Sequence, residues 1–505
     1  MALALQAALS AALLIVAAAT PPGSGVGAEG FAVKGNDDRD GEAEEVYIDI
    51  SGLRDKVTDG VLSDGATLDE RWDCDRGKFV KRLGPRLELA GSRFIIHGFN
   101  QHDMVRWGAH EPDRHRVAKI LSDAADLGMN SLRTWAFNDG DRWLPIQVGP
   151  GKISDRVLRE GLDFVLDEAR KREFRVILTL TNFWNDFGGM QEYVQWAGGN
   201  NVREFYTNEA VKDTFKDYVA SIVTRRSSVT GIEYRYDPTI LGWELANEAR
   251  DPGNVGSKAL QGWLDEMAAF IRRLDPNHLI ATGTTGLFGP SSPKKLALNA
   301  HAMDVFNSPT PSPHRYDGIC EGEDFLKDNQ GQHVDIPTVH IWPDHSMACD
   351  FQCKKEWSIK NLQGHFEAAN TLGKPLLLEE FGILRPDGQR HEFYRAMYEE
   401  LKAAIARGVP VAGALMWQLG GEGALDYGGY TVYVNASENE RSRPPFSKPR
   451  GYHQNTSVQV VDDLDFRNWG EMMDCMKEKE TRNGEEWGET LEVLKNFLAP
   501  EEWLM

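Results

Sequence analysis

TILGWELANE, residues 239–248, is the stretch that decides the fold. Ile240, Leu241, Trp243, Leu245 and Ala246 leave no regular polar face. Such a run marks a strand covered on both sides, as the strands of parallel sheets are. Two carboxylates stand in it all the same, and a carboxylate there must be paired or put to use. Glu244, inside the strand, reads as the partner of a basic side chain in the interior. Glu248, at the strand end beside Asn247, is the candidate for chemistry. Strict alternation would place Asn247 and Glu248 on opposite faces, so both reach one site only if the strand has ended or bulges there.

Seven further runs share this character: RFIIHGFN (93–100), NSLRTWAF (130–137), FRVILTLTN (174–182), LIATGTTG (279–286), TVHIW (338–342), PLLLEEFG (375–382) and AGALMWQLG (412–420). Between most of them lie helical patterns, at 113–127, 153–171, 208–226, 257–274, 357–372 and 389–407. Within 257–274, Leu260, Trp263, Met267, Phe270 and Ile271 recur at helical spacing, and Asp275-Pro276-Asn277 stops the pattern. Strand–helix alternation implies parallel pairing. Eight units predict a single (β/α)8 barrel with loop insertions. A doubly wound sheet would carry a Gly-rich phosphate turn after its first strand, and HGFNQHD has none.

The 505 residues are 41% hydrophobic and 26% charged, an ordinary globular balance. A net charge of −21, from 56 Lys+Arg against 77 Asp+Glu, argues against nucleic acid and anionic membranes as partners. The alanine-rich apolar N-terminus resembles the core of a secretory signal, placing a signal peptide at 1–28 and the protein outside the cell. An acidic, partly disordered linker is expected at 29–78, and the catalytic domain at 79–505. The segment 486–499, EWGETLEVLKNFLA, reads as a last helix. Asn435 and Asn455 sit in N-x-S/T sequons. His340, His345, Cys349 and Cys353 mimic a zinc quartet, but the spacing is irregular, and disulfides are the better reading of the five cysteines. No metal and no cofactor are expected.

In a barrel of this kind the active site lies at the C-terminal strand ends. There the sequence places Asn100, Arg133, Trp135, Asn182, Trp184, Asn247, Glu248, His340, Trp342, Glu379-Glu380 and Trp417. Sugar rings stack their C–H faces on indoles. Their hydroxyls bond to Asn, His and Arg. Glycosidic bonds need one carboxylic acid and one carboxylate. Glu248 and Glu380 meet this need only if the barrel closes.

GWELANEAR resembles the W-E-L-x-N-E-P-R segment of plant-type endo-β-1,4-mannanases of glycoside hydrolase family 5. The likeness extends over about 79–434 and includes FIIHGFN, LRTWAFNDG, NFWNDFGGMQEYVQW, GEDFLKDNQ, VHIWPD, KPLLLEEFG and LMWQLGGEGALDYGGYTVY. It implies retaining, endo-acting hydrolysis of β-mannan, and a monomer is expected. The acid/base falls on Glu248 and the nucleophile on Glu380. Asn247 would bond the sugar 2-hydroxyl. Arg133 and His340 would border the nucleophile, Trp417 would floor the sugar site before the cleaved bond, Trp135 would line the cleft, and Arg250 would contact the leaving-group side. Asn182, Trp184 and Trp342 complete the expected binding set.

Three positions depart from the family pattern. Trp342 stands for the Tyr of H-x-Y, and an indole N–H donates but cannot accept. Ala249 replaces the proline after the acid/base, and Thr285 a glutamate of strand five. Opposite protonation of the two carboxyls calls for a cation beside Glu380 and fewer compensating charges beside Glu248. The alternatives are another β-1,4-glycanase or an exo-mannosidase of the same fold, and a non-catalytic glycan-binding protein.

Overall fold

A closed parallel sheet forms the centre of the protein, whose computed structural model describes residues 32–34, 46–57, 78–299, 301–302, 316–317, 321–347, 349–384, 389–421 and 428–434. Its strands are β1 (Ile96–Asn100), β2 (Ser131–Trp135), β3 (Arg175–Thr179), β4 (Ile240–Glu244), β5 (Leu279–Ala281), β6 (Thr338–Ile341), β7 (Leu376–Phe381) and β8 (Val411–Met416). From β1 to β5 each strand pairs in parallel with the next, as β6 does with β7, β7 with β8 and β8 with β1. A parallel bridge from Ala281 to Ile336, at the approach to β6, closes the ring.

Around the ring lie α1 (Arg114–Asp126), α2 (Phe164–Lys171), α3 (Glu209–Val223), α4 (Lys258–Leu274), α5 (Phe325–Asn329), α6 (Phe351–Leu372) and α7 (Arg390–Ala406). The (β/α)8 barrel expected from the sequence is therefore the observed fold. α4 begins where Ser257 accepts a hydrogen bond from the Leu260 N–H, and α6 ends at Gly373, whose φ of 63° suits a residue without a side chain. The five-residue α5 is too short to leave a periodic signal. α6 starts at Phe351, before the expected 357, because Asp350 caps it through the Cys353 N–H.

Register irregularities decide which side chains face inward. Val176 pairs with Ile240 and Ile177 with Gly242, so Leu241 is an extra residue in β4. The bulge resets the alternation. Leu241 and Glu244 both face the interior, while Trp243 donates from its ring nitrogen to Asp275 outside the ring, at 2.7 Å. A second irregularity lies in β7, where Val339 pairs with Leu378 and His340 with Glu380, leaving Glu379 as the extra residue. At Gly413 in β8 a Cβ would stand 1.7 Å from the Ile96 carbonyl, so only glycine lets β8 approach β1 this closely.

The lower interior is apolar: Ile96, Ile177, Leu241, Leu279, Ala281, Ile336, Leu377, Ala412 and Leu415 form one cluster. A three-stranded antiparallel sheet, Lys81–Leu83, Arg86–Leu89 and Ser92–Phe94, lies against it through Leu87, Leu89 and Phe94. Within the stretch expected as linker, residues 46–57 join the fold. Val46–Asp49 pairs with Lys152–Ser154, Ile50, Leu53 and Val57 are buried, and Asp217 accepts from the Gly52 and Arg54 N–H groups. A pairing partner a hundred residues away leaves no local trace.

Cys349 and Cys353 form a disulfide, which removes the zinc quartet. The segment 1–31, Cys74, Cys320, Cys475, both sequons and the helix expected at 486–499 lie outside the described residues. Among the described residues no helix is long and apolar enough to cross a membrane.

Candidate active site

Arg133, near the upper end of β2, has no exposed surface and distributes all its donor nitrogens. Nε and Nη2 meet the two oxygens of Glu244 at 2.5 and 2.7 Å, the bidentate pairing expected for that carboxylate. Nη2 also donates to Asn247 Oδ1 at 2.7 Å, and Nη1 to Asn100 Oδ1 at 2.9 Å. Nη1 also donates to Glu380 Oε1, and Nε lies 3.8 Å from Glu379 Oε1. The guanidinium lies 4.7 Å from the Trp135 ring centroid. One cation thus orients the carboxylate of β4, the amide beside Glu248 and the carboxylate of β7.

His340, at the top of β6, ties the other side together. Its Nδ1 is 2.8 Å from Glu248 Oε1 and 3.4 Å from Glu380 Oε2, and its Nε2 is 3.1 Å from Glu379 Oε2. Burial alone would push the imidazole down, but Glu380, Glu248 and Glu379 push it up to about 10, so it is an imidazolium. The sequence places Glu379 at the strand end without a role, because alternation turns it away from Glu380; the bulge in β7 brings both inward.

Glu248 sits beyond the end of β4, held by hydrogen bonds from the Asn247 N–H to the Thr181 carbonyl and from its own N–H to the Gly283 carbonyl, at 2.8 and 2.7 Å. Its φ is +51°, a left-handed conformation that costs on the order of 1 kcal/mol or more for a residue with a side chain. That turn, rather than a strand, is how Asn247 and Glu248 both reach the site. Asn182 bonds the Asn247 amide at 3.0 Å. Glu248 Oε2 accepts from the Trp184 ring nitrogen at 2.7 Å and from Arg250 Nη2 at 3.3 Å. Arg250 also reaches Thr285 Oγ1 at 3.0 Å and Glu321 Oε2 at 3.4 Å, and lies 5.0 Å from the Trp184 ring centroid.

Of the two environments expected, one is met. Arg133 stands beside Glu380, as required. Glu248, however, is not short of compensating charge. Burial raises its carboxyl, but Arg250, His340 and the Trp184 donor outweigh that and hold it well below the usual carboxylate range. Glu380 is pushed up by burial, against the pull of His340 and Arg133 and with the repulsion of Glu248. The two carboxyls share His340 and titrate as a pair.

One ligating atom each of Glu248, His340 and Glu380 lies within 4.8 Å of the others, the one such grouping among the described residues. Both nitrogens of His340 already meet carboxylate oxygens, so a metal there would cost those hydrogen bonds. An approach within 4.8 Å of one oxygen from each carboxyl lies on the side of the close pairs of retaining glycosidases, roughly 5–5.5 Å, rather than the roughly 6.5–9.5 Å of inverting ones.

Beside the pair runs a cleft of about 500 Å³. One wall is aromatic: Trp417 stacks on His102 with ring centroids 5.7 Å apart, Trp135 lies 6.1 Å from Trp417, and Trp342 meets Trp417 and Tyr430 edge to face at 6.0 and 4.9 Å. His102 and Tyr430, missed in the sequence, belong to this wall; HGFNQHD held the signal for the first. All eleven sequence-predicted site residues meet around this cleft. Ten line it, and Arg133 lies beneath, reaching it through Glu380 and Asn247.

Residues 77–307 match the family model described as GH family 5 beta-mannosidase-like. Mannan endo-1,4-beta-mannosidase 1 of Solanum lycopersicum is 37% identical over 70% of this chain and 87% of its own length. Mannan endo-1,4-beta-mannosidase 5 of Arabidopsis thaliana is 36% identical over 70% and 82%. Among solved structures, the endo-1,4-beta-mannanase from Rhizomucor miehei superposes with a TM-score of 0.59 at 27% identity, covering 70% of this chain and 94% of that one. The chain belongs to the beta-mannosidase-like group of glycoside hydrolase family 5.

Proposed function

We propose that the protein is a retaining endo-β-1,4-mannanase, hydrolysing internal mannosidic linkages of mannans, galactomannans or glucomannans. The observation that carries this reading is the meeting of Glu248 and Glu380 within 4.8 Å beside a cleft walled by indoles. Glu380 is the nucleophile. Arg133 and His340 both touch it, so its ionised form keeps two cations in contact. Glu248 gives its proton to the leaving oxygen as Glu380 attacks the anomeric carbon; in the second step it takes a proton from the water that releases the sugar. Arg250, His340 and the Trp184 donor all favour the ionised form of Glu248, and of these Arg250 is the one free to engage the leaving sugar. Arg250 turning towards a hydroxyl of the leaving sugar therefore returns Glu248 to the acid form when substrate is bound. Trp417, Trp135 and Trp342 stack on the sugar before the cleaved bond, and Asn247 bonds its 2-hydroxyl. Trp184 and Asn182 frame the acid/base. The chemistry needs no cofactor.

Secretion as a monomer fits an enzyme acting on polysaccharide, with the signal at 1–28 and the catalytic domain at 79–505 augmented by residues 46–57. A second reading, another β-1,4-glycanase, is favoured by Thr285 and Trp342 standing in the cleft where the family pattern has Glu and Tyr. Product analysis on linear mannan, galactomannan and glucomannan, with cellulose and xylan oligosaccharides alongside, separates the two. Internal cuts in mannan support the first; preference for a glucan or xylan overturns it.

A further inference from the structure

We infer that Glu321 is a positioning residue for this reaction: it holds Arg250 partly off Glu248 and so eases the return of the proton to the donor when substrate binds. The inference rests on the assignment of Glu248 as that donor.

Arg250 lies between three oxygens from three segments. Nη2 reaches Glu248 Oε2 at 3.3 Å and Thr285 Oγ1 at 3.0 Å, and Nη1 reaches Glu321 Oε2 at 3.4 Å. Glu321 is fixed in turn: its carbonyl accepts from the Asp251 N–H at 2.9 Å, and the next carbonyl, of Gly322, accepts from Ser257 at 2.8 Å. Its side chain is 12% exposed and lines the cleft. Arg250 is drawn by Glu248, Glu321 and Glu323 together. Glu323 is committed elsewhere, accepting from the Gly286 and Leu287 N–H groups at 2.8 and 3.1 Å. Glu321 is thus the carboxylate that competes with Glu248 for the guanidinium. Without its charge, Arg250 collapses onto Glu248, and the acid loses its proton at lower pH.

The other groups around Glu248 set the background. They are His340 on β6, Glu380 on β7, Trp184 after β3 and His345 after β6, with Arg133 on β2 one bond away through Glu380. None of these is hydrogen-bonded or ion-paired to Glu321, whose side chain meets Arg250.

Glu321→Gln tests the idea. The alkaline limb of kcat, which reports loss of the Glu248 proton in the substrate complex, is expected to move down by about half a pH unit. kcat at the optimum falls by about fivefold while KM changes less. Thr285→Glu in the same variant puts a carboxylate where Arg250 already bonds and returns the limb to its place. Glu321→Asp, which keeps the charge, leaves the limb within about 0.2 units of the parent. A ¹³C NMR titration of the Glu248 carboxyl in the same variants reads the shift without turnover. A parent inactive on every β-1,4-glycan would overturn the proposed function, while the NMR titration still decides the role of Glu321. An active parent with unmoved limb and unmoved titration in Glu321→Gln, or a shift that Thr285→Glu does not reverse, overturns that role.

Discussion

Inside the ring, Ile96, Ile177, Leu241, Leu377 and Leu415 fill the lower half, and Asn100, Arg133, Glu244, Glu379, Glu380 and His340 fill the upper half. Both halves are buried to the same degree. The lower half is held by non-directional packing, where volume matters and partner identity does not. In the upper half each group depends on a named partner, and removing one leaves a charge stranded in a dry interior. Equal burial therefore has opposite consequences. A lower-half change should cost stability and spare the chemistry, and an upper-half change should alter both.

The largest effect is expected at Glu380. Glu380→Ala should lower kcat on mannan by on the order of 10⁴, because without the nucleophile only positioning and charge stabilisation remain. Oligosaccharide binding, read by calorimetry, should survive, since the aromatic wall is untouched. Turnover within tenfold of the parent would take Glu380 out of the mechanism.

Next comes Arg133→Met, which keeps bulk and strands the carboxylates of Glu244 and Glu380. The expected loss is about 3–5 kcal/mol of unfolding free energy in urea, with turnover lost as well. Leu241→Ala is the lower-half counterpart and should cost about 2–4 kcal/mol through the cavity it opens. Its pH–rate profile should superpose on the parent's. A displaced profile in Leu241→Ala would show that the two halves are mechanically coupled, and the contrast would fail.

pH should act on the upper half alone. The His340 imidazole goes from about 6.5 unfolded to about 10 folded, so its contribution is whole below pH 6.5 and fades as pH climbs through 10. Glu244 is raised by burial to about 7, with Arg133 opposing; its contribution likewise fades as pH rises from 4.5 through 7. Glu248, held low, acts in the other sense: its share is present above pH 4.5 and is lost in acid. The contribution of these three groups should therefore be largest near pH 5 and decline towards alkali, followed by thermal unfolding of parent and variant in buffers from pH 4 to 10. His340→Gln should flatten the decline between pH 6.5 and 10. An unchanged slope would mean that the imidazolium does not hold the cluster together.

The lower half is the more legible one in the sequence. Eight apolar runs mark the strands, and their alternation with helices implies the closed ring, because packing by hydrophobic period leaves a local signal. Glu244 can be read as an ion-pair member because its place in an apolar run leaves no other role. Glu379 cannot, because a bulge in β7 turns it inward. The donors that depress Glu248 are equally hidden: Trp184 and Arg250 are expected to face the sugar, and their hydrogen bonds to Glu248 depend on loop geometry. Residues 46–57 are ambiguous in sequence because their partners lie at 152–154 and 217.

The smallest effect is expected at Trp342→Tyr, on the border between wall and cluster. Glu380 Oε1 is held by Arg133, while Oε2 has His340 at 3.4 Å, a long contact for a charged pair. A tyrosine hydroxyl directed at Oε2 would add a donor to the ionised form and lower the Glu380 pKa. The acid limb of the pH–rate profile should then move down by about half a unit. Against that gain stands lost packing: the indole meets Tyr430 and Trp417 edge to face, and its Cζ3 would lie 3.2 Å from a Cβ at Gly382. A smaller phenol leaves part of that contact empty, a cost of about 1 kcal/mol or less. The two effects oppose each other, so turnover at the optimum should stay within about threefold of the parent while the limb moves. A tenfold change with a stationary limb would mean that position 342 acts by stacking on the sugar alone, and that the shape of the wall, not the charge of the cluster, sets the rate there.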